Sequence, residues 1–444
     1  MDFSHILDII GQLPILKSYT HILLCFPLAD PSLDSLESAV QHLVDLLPFL
    51  AGQVVHEGLS PTSSGQFLVK PYPHPRSPLR IEDRRSQCVS YETLLSAQAP
   101  SSMLPGTLLG RRRAFPESYE DSPDDPAPVL DIQANLIHGG LLLDLAAQHN
   151  IVDAIGLFQI AHLLAFVMRG EPIPQTMLDE ANRPRHDLIP LLGADEPLLD
   201  HRDLRPAPEY MVSSPQPRES IGAFEWRYLH IDAVAVQRIK SLADAQPTDF
   251  HASTPFISDN DALTAFLWHR ITYVRLRRLN TPQAISRISR AVDFRRVVGL
   301  SPSYLGHMVR VAFLRLTFQE VVDSSLSKLA SLVRKSVLDI SDMYSLRSYV
   351  TYLAREPDKS TISYGGGFDA NTDLSFSSIA HLSLPEFGAL GKPDLLRRPT
   401  FQQLPCSMYL APSMRGGVEV LACLLREEME MLVGEMGGFL NYIG

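Results

Sequence analysis

Apolar residues recur along the chain with two different spacings, which predict helices and strands in turn. Between residues 33 and 47 they return at intervals of three and four, the spacing of one buried helix face, at Leu33, Leu36, Val40, Leu43 and Leu47. Asp30 and Pro31 precede this pattern as the predicted N-cap and first helical residue. Residues 19–28, YTHILLCFPL, instead form an apolar run with aromatic and β-branched side chains, which predicts a buried strand.

The segment from 132 to 170 combines both spacings around one histidine. The stretch IQANLIHGGLLLDLAAQHN predicts two strands joined by a tight turn in which Gly139 and Gly140 supply positive φ. The stretch DAIGLFQIAHLLAFVMRG then has helical spacing and ends at Gly170. His149 is therefore expected at a junction between a buried strand and a helix.

The second half of the chain repeats this alternation after a proline-rich stretch. From 171 to 220, prolines recur among charged residues, which is typical of an extended crossover. Beyond it the pattern gives strand–helix pairs, including a helix that Ser258 caps, with Asp261 at the capping-box position. The expected class is α/β with mixed sheets, divided into an N-terminal lobe at 1–175, a linker at 176–220 and a C-terminal lobe at 221–444.

Composition and charge restrict the possible functions. With 444 residues and 45% hydrophobic composition, the chain is too large for a single ordinary hydrophobic core. A net charge of −11 argues against generic nucleic-acid binding, and we interpret the arginine run at 111–113 as a solvated loop. The four cysteines show no C-x-x-C spacing, which argues against a disulfide framework or a common zinc site and favours the cytoplasm. We expect no signal peptide and no membrane span.

The H-x-x-x-D pattern of His149 and Asp153 admits two interpretations. So loose a pattern occurs often by chance, and an isolated histidine at a strand end is commonly a hydrogen-bonded structural residue. No second His or Cys stands at ligand spacing, which argues against a metal. However, a histidine carried by a buried strand to the start of a helix, in a chain with a long crossover, is placed where two lobes form a channel. The second interpretation makes His149 functional.

Six segments in order resemble one family, the BAHD-type acyl-CoA-dependent acyltransferases, and in particular its fungal branch that acylates hydroxyls of secondary metabolites. The segments span nearly the whole chain and lie at 36–54, 137–156, 258–270, 290–306, 387–399 and 417–432. The resemblance implies two lobes similar to chloramphenicol acetyltransferase with a channel between them. It also implies a monomer that holds no permanent cofactor and uses acyl-CoA, with acetyl-CoA as the expected donor.

The resemblance also assigns roles to residues. It implies that His149 deprotonates the acceptor hydroxyl, and a histidine with an ordinary pKa of about 6.5 suits that task. Asp153 is expected to point away from the channel and to pair with Arg295, as a structural support. The oxyanion of the tetrahedral intermediate needs a donor, for which Ser377 and Ser378 are candidates; two strand serines that satisfy local backbone groups are the alternative.

Binding of CoA has weaker candidates, and the function itself has alternatives. The N-terminus of the helix beginning near Ser258 and Asn260 offers free N–H groups to a phosphate, although an ordinary cap explains Ser258 equally well. Lys392 is a candidate counter-charge. The alternatives to an O-acyltransferase acting on a terpenoid, alkaloid or polyketide alcohol are a condensation-type enzyme fed by a carrier protein and an inert binding relative. The single histidine of QHN disfavours the first, and retention of both His149 and Asp153 disfavours the second.

Overall fold

The computed structural model describes residues 2–29, 32–74, 76–205, 224–436, 438–439 and 441–442. The strands of this part of the chain are β1 Tyr19–Pro27, β2 Gln53–Ser60, β3 Ser63–Lys70, β4 Leu79–Asp83, β5 Ala127–Pro128, β6 Leu130–Ile137, β7 Gly140–Gln148, β8 Phe224–Ile231, β9 Ile285–Asp293, β10 Val309–Thr317, β11 Leu374–Ser378, β12 Leu395–Arg397, β13 Ser407–Pro412, β14 Val418–Leu425 and β15 Asn441–Tyr442. Its α-helices are α1 Asp34–Leu46, α2 Tyr91–Ser96, α3 Gly106–Leu109, α4 Ala154–Met168, α5 Gln175–Ala181, α6 Ala233–Asp244, α7 Asp259–Leu279, α8 Arg295–Val298, α9 Phe318–Asp323, α10 Leu326–Leu338, α11 Met343–Arg355 and α12 Arg426–Glu435.

Two mixed sheets confirm the predicted α/β class. The first has five strands in the order β12-β1-β7-β6-β4, and α4 packs against β1, β7 and α1. The second has seven strands in the order β10-β9-β11-β13-β14-β8-β15. A smaller sheet of three strands has the order β3-β2-β5. Apolar side chains of α1 and α4 pack against those of β1 and β7 in one hydrophobic core. Apolar side chains of α7 pack against the seven-stranded sheet in a second core.

Strand β12 belongs to the C-terminal half of the sequence but completes the first sheet. It pairs antiparallel with β1, with Leu23 opposite Arg397. The two halves are thus joined by backbone hydrogen bonds as well as by the crossover. Residues 206–220 of the predicted linker lie outside the described residues, and the division at 1–175, 176–220 and 221–444 stays a prediction.

The predicted hairpin forms, but the expected φ of one glycine is wrong. The turn between β6 and β7 consists of His138 and Gly139, and Gly139 has φ +76° whereas Gly140 is not among the residues with positive φ. Gly140 begins β7. A Cβ there would lie 2.2 Å from Cδ2 of Tyr91, so close approach of an aromatic ring, rather than turn geometry, requires this glycine.

Two further local expectations need correction. Helix α1 begins at Asp34, with Leu33 at the N-cap, which is later than predicted; Asp30 and Pro31 lie outside the described residues. The arginine run is not uniformly solvated, because the side chain of Arg112 is 6% exposed and donates to both Asp125 and Asp131. In the described part of the chain, no helix is both long enough and apolar enough to cross a membrane.

Candidate active site

A cavity of about 800 Å³ lies between the two large sheets, and both halves of the chain line it. The N-terminal half contributes β1 and the β7–α4 junction, and the C-terminal half contributes strands of the seven-stranded sheet and residues 363–370. His149 is on its wall. The structure therefore has a cavity where the resemblance implies a channel.

The junction that carries His149 is fixed by its two neighbours. Gln148 is the last residue of β7, and its Nε2 donates to Oδ1 of Asn150 at 2.7 Å. Oε1 of Gln148 accepts in return from the Asn150 backbone N–H at 2.8 Å, and Nδ2 of Asn150 donates to the carbonyl of Leu13. The backbone N–H of His149 donates to Ser18 at 2.8 Å. Backbone and flanking amides thus hold the turn, and the imidazole is not needed to stabilise it.

The imidazole of His149 is held in its neutral form by its surroundings. Burial is the largest cause and the nearby His307 adds to it; together they outweigh the opposing charge of Asp153 and lower the pKa of His149 from 6.5 to about 3. The rings of Phe115 and His307 lie 5.4 and 5.3 Å from it, measured between ring centroids. Nδ1 has no hydrogen-bond partner among the described residues. A neutral imidazole at neutral pH keeps a lone pair for a proton.

The carboxylate of Asp153 is bound to Arg295 and makes no hydrogen bond to His149 within the described residues, but Asp153 is among the residues that line the cavity, contrary to the expectation that it points away from the channel. Nη1 of Arg295 donates to Oδ2 at 2.9 Å and Nη2 to Oδ1 at 2.8 Å. Oδ1 also accepts from the backbone N–H of Gly156, so Asp153 is the N-cap of α4, and Oδ2 from that of Met308. Burial raises the pKa of Asp153, but the charge and hydrogen bonds of Arg295 outweigh this and leave it below its ordinary value.

Arg295 uses all five of its donors. Beyond the two bonds to Asp153, its Nε donates to the carbonyl of Tyr304, Nη2 to that of Gly306, and Nη1 to Asp293. The pair therefore ties the start of α4 to the loop before β10. The predicted contact between Asp153 and Arg295 is present, and its geometry is that of a support rather than of a triad, in which the carboxylate would bind the imidazole.

His307 is a component of this site that sequence reasoning missed. Its Nδ1 lies 3.2 Å from the carbonyl oxygen of His149, to which it donates, and it is fully buried. Burial lowers the pKa of His307. The sequence gives no signal for the role of His307, because its contact with His149 joins residues 158 positions apart.

The two candidate oxyanion serines are in different positions. Ser377 lies in β11 and lines the cavity. Ser378 is the last residue of the strand, and its Oγ accepts from the backbone N–H of Ala380 at 3.4 Å. The structure thus brings Ser377, and not Ser378, to the cavity wall. A role for either in stabilising an oxyanion stays a prediction.

The three residues predicted to bind CoA do not line this cavity. Ser258 caps α7 in the predicted capping box, with its hydroxyl bound to Asp261. Asp261 is fully buried between Arg290 and Arg334, which donate to it at 2.5 and 2.7 Å. A carboxylate of the chain thus already occupies this helix N-terminus. Asn260 is in the same first turn, Lys392 is exposed on a loop, and their contact with CoA stays a prediction.

Comparison with known proteins gives matches over the whole chain. A model described as Transferase family matches residues 113–437, and one described as the trichothecene 3-O-acetyltransferase-like N-terminal domain matches residues 18–166. The O-acyltransferase pigD of Monascus ruber is 42% identical over 451 residues, covering 98% of each chain. The trichothecene 3-O-acetyltransferase TRI101 of Fusarium sporotrichioides is 32% identical, covering 99% of this chain and 97% of that one.

A solved structure extends the likeness to three dimensions. The crystal structure of F. sporotrichioides TRI101 complexed with coenzyme A and T-2 superimposes with a TM-score of 0.89 at 30% identity, covering 99% of both chains. The expected resemblance and the expected fold are both confirmed. The chain belongs to the Transferase family, the family of the BAHD-type acyltransferases.

Proposed function

We propose that this protein is an O-acyltransferase that moves an acyl group, with acetyl as the expected one, from acyl-CoA to a hydroxyl of a lipophilic secondary metabolite. The observation that carries the proposal is the position of His149 on the wall of a cavity shared by both halves of the chain. Burial at this position lowers the pKa of its imidazole to about 3, which favours the neutral form. The acyltransferase names of the relatives and the coenzyme A in the TRI101 complex support it.

The reaction follows from the state of His149. An alcohol is a weak nucleophile until a base within hydrogen-bond reach removes its proton. His149 takes that proton while the alcohol oxygen attacks the thioester carbonyl, giving a tetrahedral oxyanion. The carbon–sulfur bond then breaks, the ester forms, and the imidazolium returns its proton to the departing CoA thiolate. Protons and electrons balance without a covalent enzyme intermediate.

The pH dependence of kcat/KM tests the state of the base. His149 acts when neutral, and its pKa is lowered from 6.5 to about 3. The acid limb of kcat/KM should therefore lie well below pH 6.5, since kcat/KM reports groups of the free enzyme. The measurement is the rate of thiol release from pH 4 to 8, corrected for the fraction folded at each pH, and kcat/KM should show no fall centred near pH 6.5. A limb centred at 6.5 would contradict a buried, neutral His149.

Calorimetric titration with CoA and with acetyl-CoA, in the absence of any alcohol, tests the donor. We expect saturable binding of both ligands with one site per chain, because direct transfer requires the donor and the acceptor to be bound together. Binding of neither ligand would contradict the proposal and favour a carrier-fed or inert relative. Thiol release in a screen of alcohols then tests turnover.

We also infer that the chain acts as a monomer in the cytoplasm. The two halves of the chain together form the walls of the cavity that contains His149, which supports an active monomer. The four cysteines are all free thiols, which supports a reducing compartment. Sedimentation of the purified protein measures the first inference, and fractionation of producing cells measures the second.

A further inference from the structure

One arginine on the wall of the cavity has donors that the described residues do not use. Arg397 and Arg398 both line the cavity. The side chain of Arg397 is buried and donates to three backbone carbonyls. Arg398 is only partly buried, and its Nη2 donates to one carbonyl, that of Phe115, at 3.2 Å. Arg398 forms no ion pair with a residue that the structure describes.

The remaining nitrogens of Arg398 are accessible to a ligand. Nε and Nη1 have no hydrogen-bond partner within the described part of the chain, yet neither belongs to the buried side-chain atoms that lack one. Because Arg398 is on the cavity wall, a molecule in the cavity can reach them. A guanidinium keeps its charge in proteins. This place therefore offers a permanent positive charge with unused N–H groups.

Aromatic rings surround the guanidinium of Arg398. Its central carbon lies 5.3 Å from the ring centroid of Tyr409, 5.5 Å from that of Trp226 and 5.9 Å from that of Phe401. Such contacts are favourable for a flat, weakly hydrated cation and restrict its orientation. They also keep water away, and an ion pair in these surroundings is stronger than one in bulk water. An anion should therefore bind more firmly here than at an exposed arginine.

The strand register separates Arg398 from the predicted base along β1. In the β12–β1 pairing Arg398 follows Arg397 and is level with Ile22. The backbone N–H of His149 instead donates to Ser18, just before the start of β1. At about 3.3 Å per residue, the step from Ser18 to Ile22 is roughly 13 Å long. A ligand that meets both side chains therefore carries its two polar groups far apart.

A carboxylate of the acceptor fits Arg398 better than a phosphate of CoA does. One guanidinium matches the single charge of a carboxylate, and no lysine is among the residues that line the cavity. The donors of Arg397 are already bound to carbonyls. Glu419 also lines the cavity, paired with Arg415 at 3.3 Å, and its charge disfavours several phosphate charges nearby.

We propose that Arg398 binds a carboxylate of the acceptor, which makes the acceptor a hydroxy acid with an apolar skeleton between its two polar groups. Ile22, Leu396 and Leu410 are among the apolar residues that line the same cavity. The inference rests on the proposed function, because the reacting hydroxyl must lie at His149 while the carboxylate lies at Arg398. Arg398 determines specificity and takes no part in the proton transfer.

The test compares ω-hydroxy fatty acids of increasing length with their methyl esters, with acetyl-CoA as donor at pH 7. The flexible chains allow the spacing of the two groups to be found by experiment. At the best length, kcat/KM of wild type for the acid should exceed that for the ester by about 10-fold to 100-fold, the worth of one hydrogen bond to a charged group. Thiol release with product identification measures both rates.

Three variants separate the ion pair from other effects of the substitution. Arg398→Gln should reduce the ratio of acid to ester to about one, while KM for acetyl-CoA and the rate with the ester stay close to wild type. Arg398→Lys keeps the charge without the planar group and should retain part of the ratio. Arg113→Gln is the matched control, because the Arg113 side chain is 70% exposed and does not line the cavity; its ratio should equal that of wild type.

Three results with Arg398→Gln would overturn the inference. The first is an unchanged ratio of acid to ester. The second is a raised KM for acetyl-CoA with the ratio intact, which would assign Arg398 to a phosphate of CoA. The third is an equal loss of rate with acid and ester, which would leave Arg398 only as a support of Phe115. Circular dichroism establishes that each variant is folded before the rates are compared.

The proposed function and this inference fail in different ways. If wild type binds acetyl-CoA but acylates no hydroxy acid and no hydroxy ester, both are overturned. If wild type acylates the esters as fast as the acids at every length, only the role of Arg398 is overturned.

Discussion

Replacement of His149 by alanine is expected to lower kcat for acyl transfer by about 10²- to 10⁴-fold, the usual contribution of a general base. The neutral imidazole on the cavity wall is the group that we expect to take the proton of the alcohol. Calorimetry should show that the variant still binds CoA, because the base acts on the alcohol and not on the nucleotide. The measurement is the rate of thiol release with saturating acetyl-CoA and a working acceptor.

The fold of this variant should survive the substitution. The backbone N–H of His149 keeps its bond to Ser18, and the amides of Gln148 and Asn150 hold the turn without the imidazole. His138→Ala is a matched control, since His138 is exposed in the turn at the other end of β7. Equal rates for wild type and His149→Ala would refute the mechanism and return His149 to a structural role.

Elements defined by neighbouring residues could be predicted from the sequence. The strand at 19–28, the hairpin before His149 and the helix after it follow from spacing and turn residues, and they appear at those places. The capping box of Ser258 and Asp261 is equally local. The position of His149 at a strand–helix junction follows from these elements alone, whereas its link to acyl transfer depended on the family resemblance.

Features that depend on distant contacts could not be read from spacing. The pairing of β12 with β1 joins residues that are several hundred positions apart in the sequence. The same holds for the contact of His307 with His149, and for Arg112, whose burial depends on Asp125 and Asp131. Gly140 shows the limit most clearly: a Gly-Gly pair suggests turn geometry, but the ring of Tyr91 decides the position.

The second large effect is expected on stability, in Asp153→Asn. Asparagine is as good an N-cap as aspartate, so α4 should keep its cap while Arg295 loses the charge that offsets its own burial. Removal of one partner of a buried ion pair costs about 3–5 kcal/mol, and Arg295 is 2% exposed. Urea unfolding at pH 7 measures the loss. The kcat of the folded fraction should fall far less than in His149→Ala, because Asp153 makes no hydrogen bond to the imidazole.

Asp293→Asn is the matched control, because it makes the same change against the same arginine. The Asp293 side chain is 34% exposed and accepts from one guanidinium nitrogen, so its loss should cost no more than about 1 kcal/mol.

The pH dependence of the stability of wild type and Asp153→Asn gives a second test. The folded-state pKa of Asp153 is below its ordinary 3.8, so its contribution is complete above that value and is lost as pH falls through the lowered pKa. The stability gap between wild type and Asp153→Asn should therefore be constant near neutrality and shrink in acid. A gap that is small at pH 7, or that grows in acid, would contradict a charged Asp153 as the support of this loop.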